Sequence, residues 1–110
     1  MIKVQTAEGD VELDDEDRFL FRALVREIRQ ASYLFDDDPD WANFLKLRSK
    51  VSVERKAPSD VRVEVQVDQM DWLGRLAYRT CEHLGPDEFS TRVGRTLLEA
   101  QDLLFRLTRT

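Results

Sequence analysis

Four groups of residues have the types that chemistry or recognition requires, and their spacing limits what each can do. Cys81 and His83 are the only cysteine and the only histidine in the chain. A thiol and an imidazole suggest a nucleophile and its base, but the two stand two residues apart on a stretch with helical periodicity. Successive helical residues turn by about 100°, so these side chains diverge and cannot form a dyad. Cys81 shares an apolar arc with Met70 and Ala77 and reads as core packing. His83 falls in a last helical turn, where the negative end of the dipole favours an imidazolium. Gly-x-Ser-x-Gly and phosphate-cradling glycine loops are absent. No catalytic residue and no cofactor is expected.

Asp36, Asp38 and Asp40 alternate as the first ligands of a calcium loop do, but Trp41 occupies the position that needs glycine and Leu47 the one that needs glutamate. The cluster reads as a solvated turn that caps the following helix, with no metal. Arg18, Arg22, Arg26 and Arg29 fall within an arc of about 80° spanning about 16 Å of helix. Tyr33 lies in the same arc. Basic side chains interleaved with an aromatic can hold a phosphate backbone. Asp15 and the acidic run 8–17 are the anions expected to answer them within the fold.

The fourth group is apolar. Phe89, Val93, Leu97, Ala100, Leu104 and Leu107 form the core face of the last helix, and Gly94, Leu98 and Phe105 lie nearly opposite. A helix apolar on two faces is either sandwiched in the fold or carries an interface.

These groups need elements to hold them. Ile2 to Thr6 alternates, Glu8-Gly9-Asp10 turns, and Val11-Glu12-Leu13 leads to Asp14, an N-cap with a carboxylate three residues on. A first helix is expected from Asp15 to Phe35, and a second from Pro39 to about Ser49, capped by Asp38. Val51 to Arg55 and Val61 to Val67 then read as strands around the turn Pro58-Ser59-Asp60. Asp68 is the expected cap of a third helix, Gln69 to Leu84, which Gly85-Pro86 ends. A fourth runs from Pro86 to Leu107, antiparallel to the third, with Gly94 opposite Ala77 and Gly74 near Leu97.

The fold class expected is therefore α+β: two short antiparallel β-hairpins and four helices in the order ββαα-ββαα. It forms one domain over 1–110, with possible pseudo-repeat halves 1–50 and 51–110. Two-fifths of the residues are apolar and a third charged, as in a globular protein rather than a disordered one. Net charge is −5 and comes in alternating blocks, which tend to satisfy one another. No apolar run approaches the roughly 18 residues of a membrane span. The N-terminus lacks the character of a signal peptide, and one cysteine excludes an intrachain disulfide, so a cytoplasmic setting is the default.

The function expected is a small acidic non-enzymatic interaction module, such as an adaptor, inhibitor or regulatory subunit. Its partner is another protein or a second copy, met through Leu98 and Phe105 with Gly94 beside them. Arg95, Asp102 and Arg106 form the rim. Nucleic-acid association through the arginine face is one alternative. An acidic mimic that uses residues 8–17 and 36–40 to occupy a basic site is another.

Overall fold

The computed structural model of the chain describes residues 2–46 and 63–108. Strand β1 (Ile2–Thr6) turns at Gly9, whose φ of 122° suits glycine, into β2 (Gly9–Glu12). Thr6 closes the turn by donating its hydroxyl to the Gly9 carbonyl at 2.6 Å. Helix α1 (Asp15–Gln30) begins as its sequence dictates: the Asp14 side chain accepts from the Asp17 N–H at 2.8 Å. It ends earlier than expected, giving way to a 3-10 turn at Ser32–Leu34. Helix α2 covers residues 39–46. Its expected extension to Ser49, and the strand Val51 to Arg55, lie outside the described residues.

Strand β3 (Val63–Val65) follows, then α3 (Val67–Val93) with a break at Gly85, then α4 (Leu97–Thr108). The sheet order is β2-β1-β3, with β2 antiparallel and β3 parallel to the central β1. The molecule is α+β, with one hairpin and three strands among the described residues, and the first strand expected of a second hairpin lies outside them. Ile2 and Val4 pair with Val63 and Val65 in parallel register, so the two halves share one sheet. Ile2, Val4 and Val65 are all buried on one face, and sharing a single sheet is how that apolar face closes.

Helix α3 starts one turn position before Asp68. Gln66 is the cap, and its N–H donates to the Gln69 side chain at 2.9 Å. The expected fourth helix is divided. Gly85 is non-helical at φ 75°, the chain is helical again through Val93, and Gly94 stops it in the left-handed region at φ 78°. Thr96 and Glu99 then cap α4 reciprocally. Each accepts the other's backbone N–H at 3.2 Å. Gly94 is thus a helix stop, not an interior glycine facing Ala77. The interruption shifts the phase of the last helix, so Leu103 is buried with Ala100, Leu104 and Leu107 while Leu97 is half-buried.

Phe21, Leu24, Val25 and Ile28 of α1 close on Met70, Leu73 and Ala77 of α3 and on Leu104 of α4. The void between them is about 10 Å³, so the three helices interdigitate to near-crystalline density. On the outer side of α3, Arg75 makes paired hydrogen bonds to Asp40 at 2.9 and 3.0 Å. Arg79 bonds Asp38 and the Leu34 carbonyl while lying over the Phe35 ring, 4.9 Å from its centroid. Phe35 in turn stacks on Trp41, and Trp41 on Phe44.

Gly74 does allow close helix approach, but towards Thr108 rather than Leu97: an added Cβ would meet the Thr108 Cγ2 at 2.7 Å. Gly74→Ala is expected to cost about 1–2 kcal/mol from overpacking. Adding Thr108→Ser, which removes that methyl, restores most of the loss. The alanine's better helix propensity, worth up to about 1 kcal/mol, then shows through. A double-mutant cycle by urea denaturation measures the coupling.

Candidate interaction surface

Helix α4 carries the apolar residues that the core does not absorb. Ala100, Leu103, Leu104 and Leu107 face inward. Leu98 and Phe105, seven residues apart and so within about 20° on the wheel, point the other way. Leu98 is 77 % exposed and Phe105 59 %. Neither α1 nor the sheet covers them. The stripe survives the break at Gly94 because both side chains belong to α4. Gly94 itself lies in the preceding turn, exposed.

The flank of this ridge is a charge array that begins on α1. Arg106 donates to both Asp17 oxygens at 3.2 and 3.1 Å and to Asp102 at 3.2 Å. Arg95 bonds Glu99 and reaches Glu16 at 4.0 Å. The rim residues Arg95, Asp102 and Arg106 are therefore engaged within the chain, where they fix α4 beside the start of α1. Hydrogen bonds from Arg95, and from the backbone and hydroxyl of Thr96, hold the Glu99 carboxyl down at about 2.

Two arginines of the α1 face are answered from within their own helix. Arg18 pairs with Asp15. Arg26 reaches the Arg92 carbonyl at 3.5 Å and Glu27 at 3.9 Å. Asp15 thus answers the face as expected, while of the rest of the acidic run Asp10 pairs with Lys3, Glu16 with Arg95 and Asp17 with Arg106. Arg22 is half-buried, and Arg29 lies exposed on the same side. Tyr33 is 62 % exposed and meets His83 rather than joining a row of cations. Its hydroxyl lies 2.6 Å from His83 Nε2, with the rings edge to face.

The sequence reading missed the buried pair that joins α1 to α3. Glu27 is 3 % exposed, and Arg92 donates to its two oxygens at 3.0, 3.2 and 3.1 Å. Arg92 also bonds Gln30, and the carboxylate raises the Arg92 pKa further. These residues, with Tyr33, His83 and Glu88, line a cleft of about 370 Å³. A signal was present, since Glu27 is the only acid in residues 18–35 and falls among the apolar positions of its helix.

Cys81 is buried, which pushes its thiol up to about 11, and this fits a packing role. Asp38 and Asp40 turn to Arg79 and Arg75 rather than to a common cation. Among the described residues no group of acids, cysteine or histidine has the geometry to hold a metal ion, and no helix is long and apolar enough to cross a membrane. No family model, no curated protein and no solved structure matches the chain.

Removing the two partners of the buried pair has unequal consequences. Arg92→Ala leaves the Glu27 carboxylate desolvated, with Arg26 at 3.9 Å in place of three hydrogen bonds, and up to about 3–5 kcal/mol of stability is lost. Glu27→Gln leaves Arg92 able to turn to Glu88 and water, and a loss of about 1–2 kcal/mol is expected. Chemical denaturation of both variants tests the asymmetry. For Glu99, the folded pKa lies below the usual value of roughly 4.3. Its stabilising effect is present above that value and disappears as pH falls through about 2. Carboxyl NMR titration checks this directly, and Arg95→Ala returns the midpoint towards the ordinary range.

Proposed function

We propose that the chain is a small non-enzymatic interaction module that receives a protein partner on the α4 ridge of Leu98 and Phe105. The observation that carries this reading is the orientation of α4. Its core face is complete, yet two large apolar side chains stand exposed on the opposite face. Aromatic and aliphatic anchors of this kind dominate binding energy once a partner covers them. The ion pairs of Arg95 and Arg106 support the same reading, because they hold the helix that presents the anchors. An adaptor, inhibitor or regulatory subunit works in this way.

Replacing Leu98 with a photo-reactive phenylalanine analogue tests the proposal in extracts of the source cell. A discrete adduct is expected, and it should vanish when Phe105→Ser is added, while thermal stability shifts by no more than about 0.5 kcal/mol. The same adduct pattern from a probe at Glu82, or adduct formation indifferent to Phe105→Ser, removes the reading. A cooperative melt lost in Leu98→Ser/Phe105→Ser would assign the stripe to the core instead.

One observation favours a second reading, nucleic-acid association through α1. Asp10, Glu16 and Asp17 are turned to Lys3, Arg95 and Arg106, and Glu27, 3.9 Å from Arg26, is engaged by Arg92, so Arg29 stands exposed beside an Arg26 whose carboxylate is shared. Binding to single-stranded oligonucleotides should then weaken steeply with salt and be abolished by Arg26→Glu/Arg29→Glu. Binding that is flat in salt, or unchanged in the variant, dismisses it.

A further inference from the structure

The charge order along the ridge bears on what covers it. On the exposed side of α4, reading from the turn before it to its end, stand Arg95, Glu99, Asp102 and Arg106: plus, minus, minus, plus. A second copy brings the same four charges to this array and no surplus of positive charge. In an antiparallel pair that sets Leu98 on Phe105 of the second copy, the two-fold axis passes between Gln101 and Asp102. The two Asp102 residues then lie within about 1.5 Å of each other along the helix direction, while Glu99 of each copy stands about 3 Å along that direction from both Asp102 and Arg106 of the other, and Arg106 about as far from both Arg95 and Glu99. In a parallel pair, the charged flank of one copy faces Gln101 and Thr108 of the other, and no opposite charge answers it. The Asp102 pair at the centre costs affinity in the antiparallel case, and in the parallel case the charged flank gains none.

The array as a whole is acidic. Four carboxylates (Glu16, Asp17, Glu99 and Asp102) surround two guanidiniums. The carboxylates most open to solvent are Glu16, whose side chain is 81 % exposed, and Asp102, at 69 %. Both arginines retain a second acid if these two are changed: Arg95 keeps Glu99 and Arg106 keeps Asp17. Among the described residues of this array, Glu16 and Asp102 are thus the acids whose charge is most open to a partner.

We infer that the occupant of the α4 ridge is a basic amphipathic helix of another protein. Its apolar stripe packs on Leu98 and Phe105, and its Lys or Arg flank meets Glu16 and Asp102. The inference rests on the proposed function, since it names the partner of that same ridge. It uses the helix-in-groove mode of recognition, in which apolar anchors give affinity and flanking charge gives orientation.

The test is a titration of the full chain with two synthetic helical peptides of about 18 residues. They share a leucine stripe at i, i+3, i+4 and i+7 and differ only in having lysine and arginine, or glutamate, along its flanks. The basic peptide is expected to bind with micromolar affinity, and the acidic one at least ~10-fold more weakly. Leu98→Ser should weaken the basic peptide by ~10-fold or more, and so should Glu16→Gln/Asp102→Asn, with a cooperative circular dichroism melt retained in both variants. Three results overturn the inference: equal binding of both peptides, no binding of the basic peptide at about 1 mM, or a dimer by light scattering that Leu98→Ser dissolves. Equal binding that still requires Leu98 leaves the ridge standing as a docking site. Basic-peptide binding indifferent to Leu98→Ser overturns the inference and counts against the ridge as well.

Discussion

The salt bridge between Glu27 and Arg92 is the constraint on which the arrangement of the helices turns. A carboxylate at 3 % exposure is tolerated only where its lone pairs are filled, because desolvation of an unpaired charge costs several kcal/mol. Arg92 fills them with three hydrogen bonds, and this fixes the short second segment of α3 against the middle of α1. Apolar packing alone would allow that segment to slide by a methylene or a turn, whereas a bidentate guanidinium does not. Arg26 adds to the register by reaching the carbonyl of Arg92 itself.

The consequences run forward along the chain. With Arg92 pinned, Val93 enters the core and Gly94 reverses the backbone through the left-handed region. The Thr96/Glu99 capping box then starts α4 in a defined direction. Arg95 and Arg106, at either end of that helix, find their acids in Glu16 and Asp17 at the start of α1. The first turn of α1 thereby gains an additional role. Its acids serve the positive end of their own helix and also hold α4 across the surface. Together the buried pair and the surface pairs settle which face of α4 turns inward. Leu98 and Phe105 are exposed because that rotation is set by other contacts.

Much of this was legible in the residues. The Asp14 cap, the hairpin at Gly9, the apolar arc of α1, the stop at Gly85 and the surplus stripe on α4 each follow from local patterns that tertiary contacts did not override. Long-range pairing is not legible in this way. Val63–Val65 alternates as cleanly as any hairpin strand, and alternation does not state that the N-terminal strand sixty residues away lies beside it. The continuous fourth helix failed for a different reason. Gly94 was read as an interior glycine, although Thr96-Leu97-Leu98-Glu99 immediately after it is a capping box and marks a new start. Glu27 was passed over because charge was summed over blocks, whereas its place among Leu20, Leu24 and Ile28 was the informative fact.

The size of the ridge limits what it can do unaided. Full burial of a leucine and a phenylalanine is worth roughly 1.5–3 kcal/mol each, while micromolar affinity requires about 8 kcal/mol after the cost of association has been met. Two anchors therefore do not suffice, and further contacts at their margin must supply the difference. On this molecule that margin is charged, and the arginines within it are already saturated by Glu99, Asp17 and Asp102. What is left to offer a partner is negative charge at Glu16 and Asp102. A second copy brings the anchors but also the same acids, whereas a partner with a basic flank meets the open charge of Glu16 and Asp102, and the same two residues would then supply both affinity and selectivity.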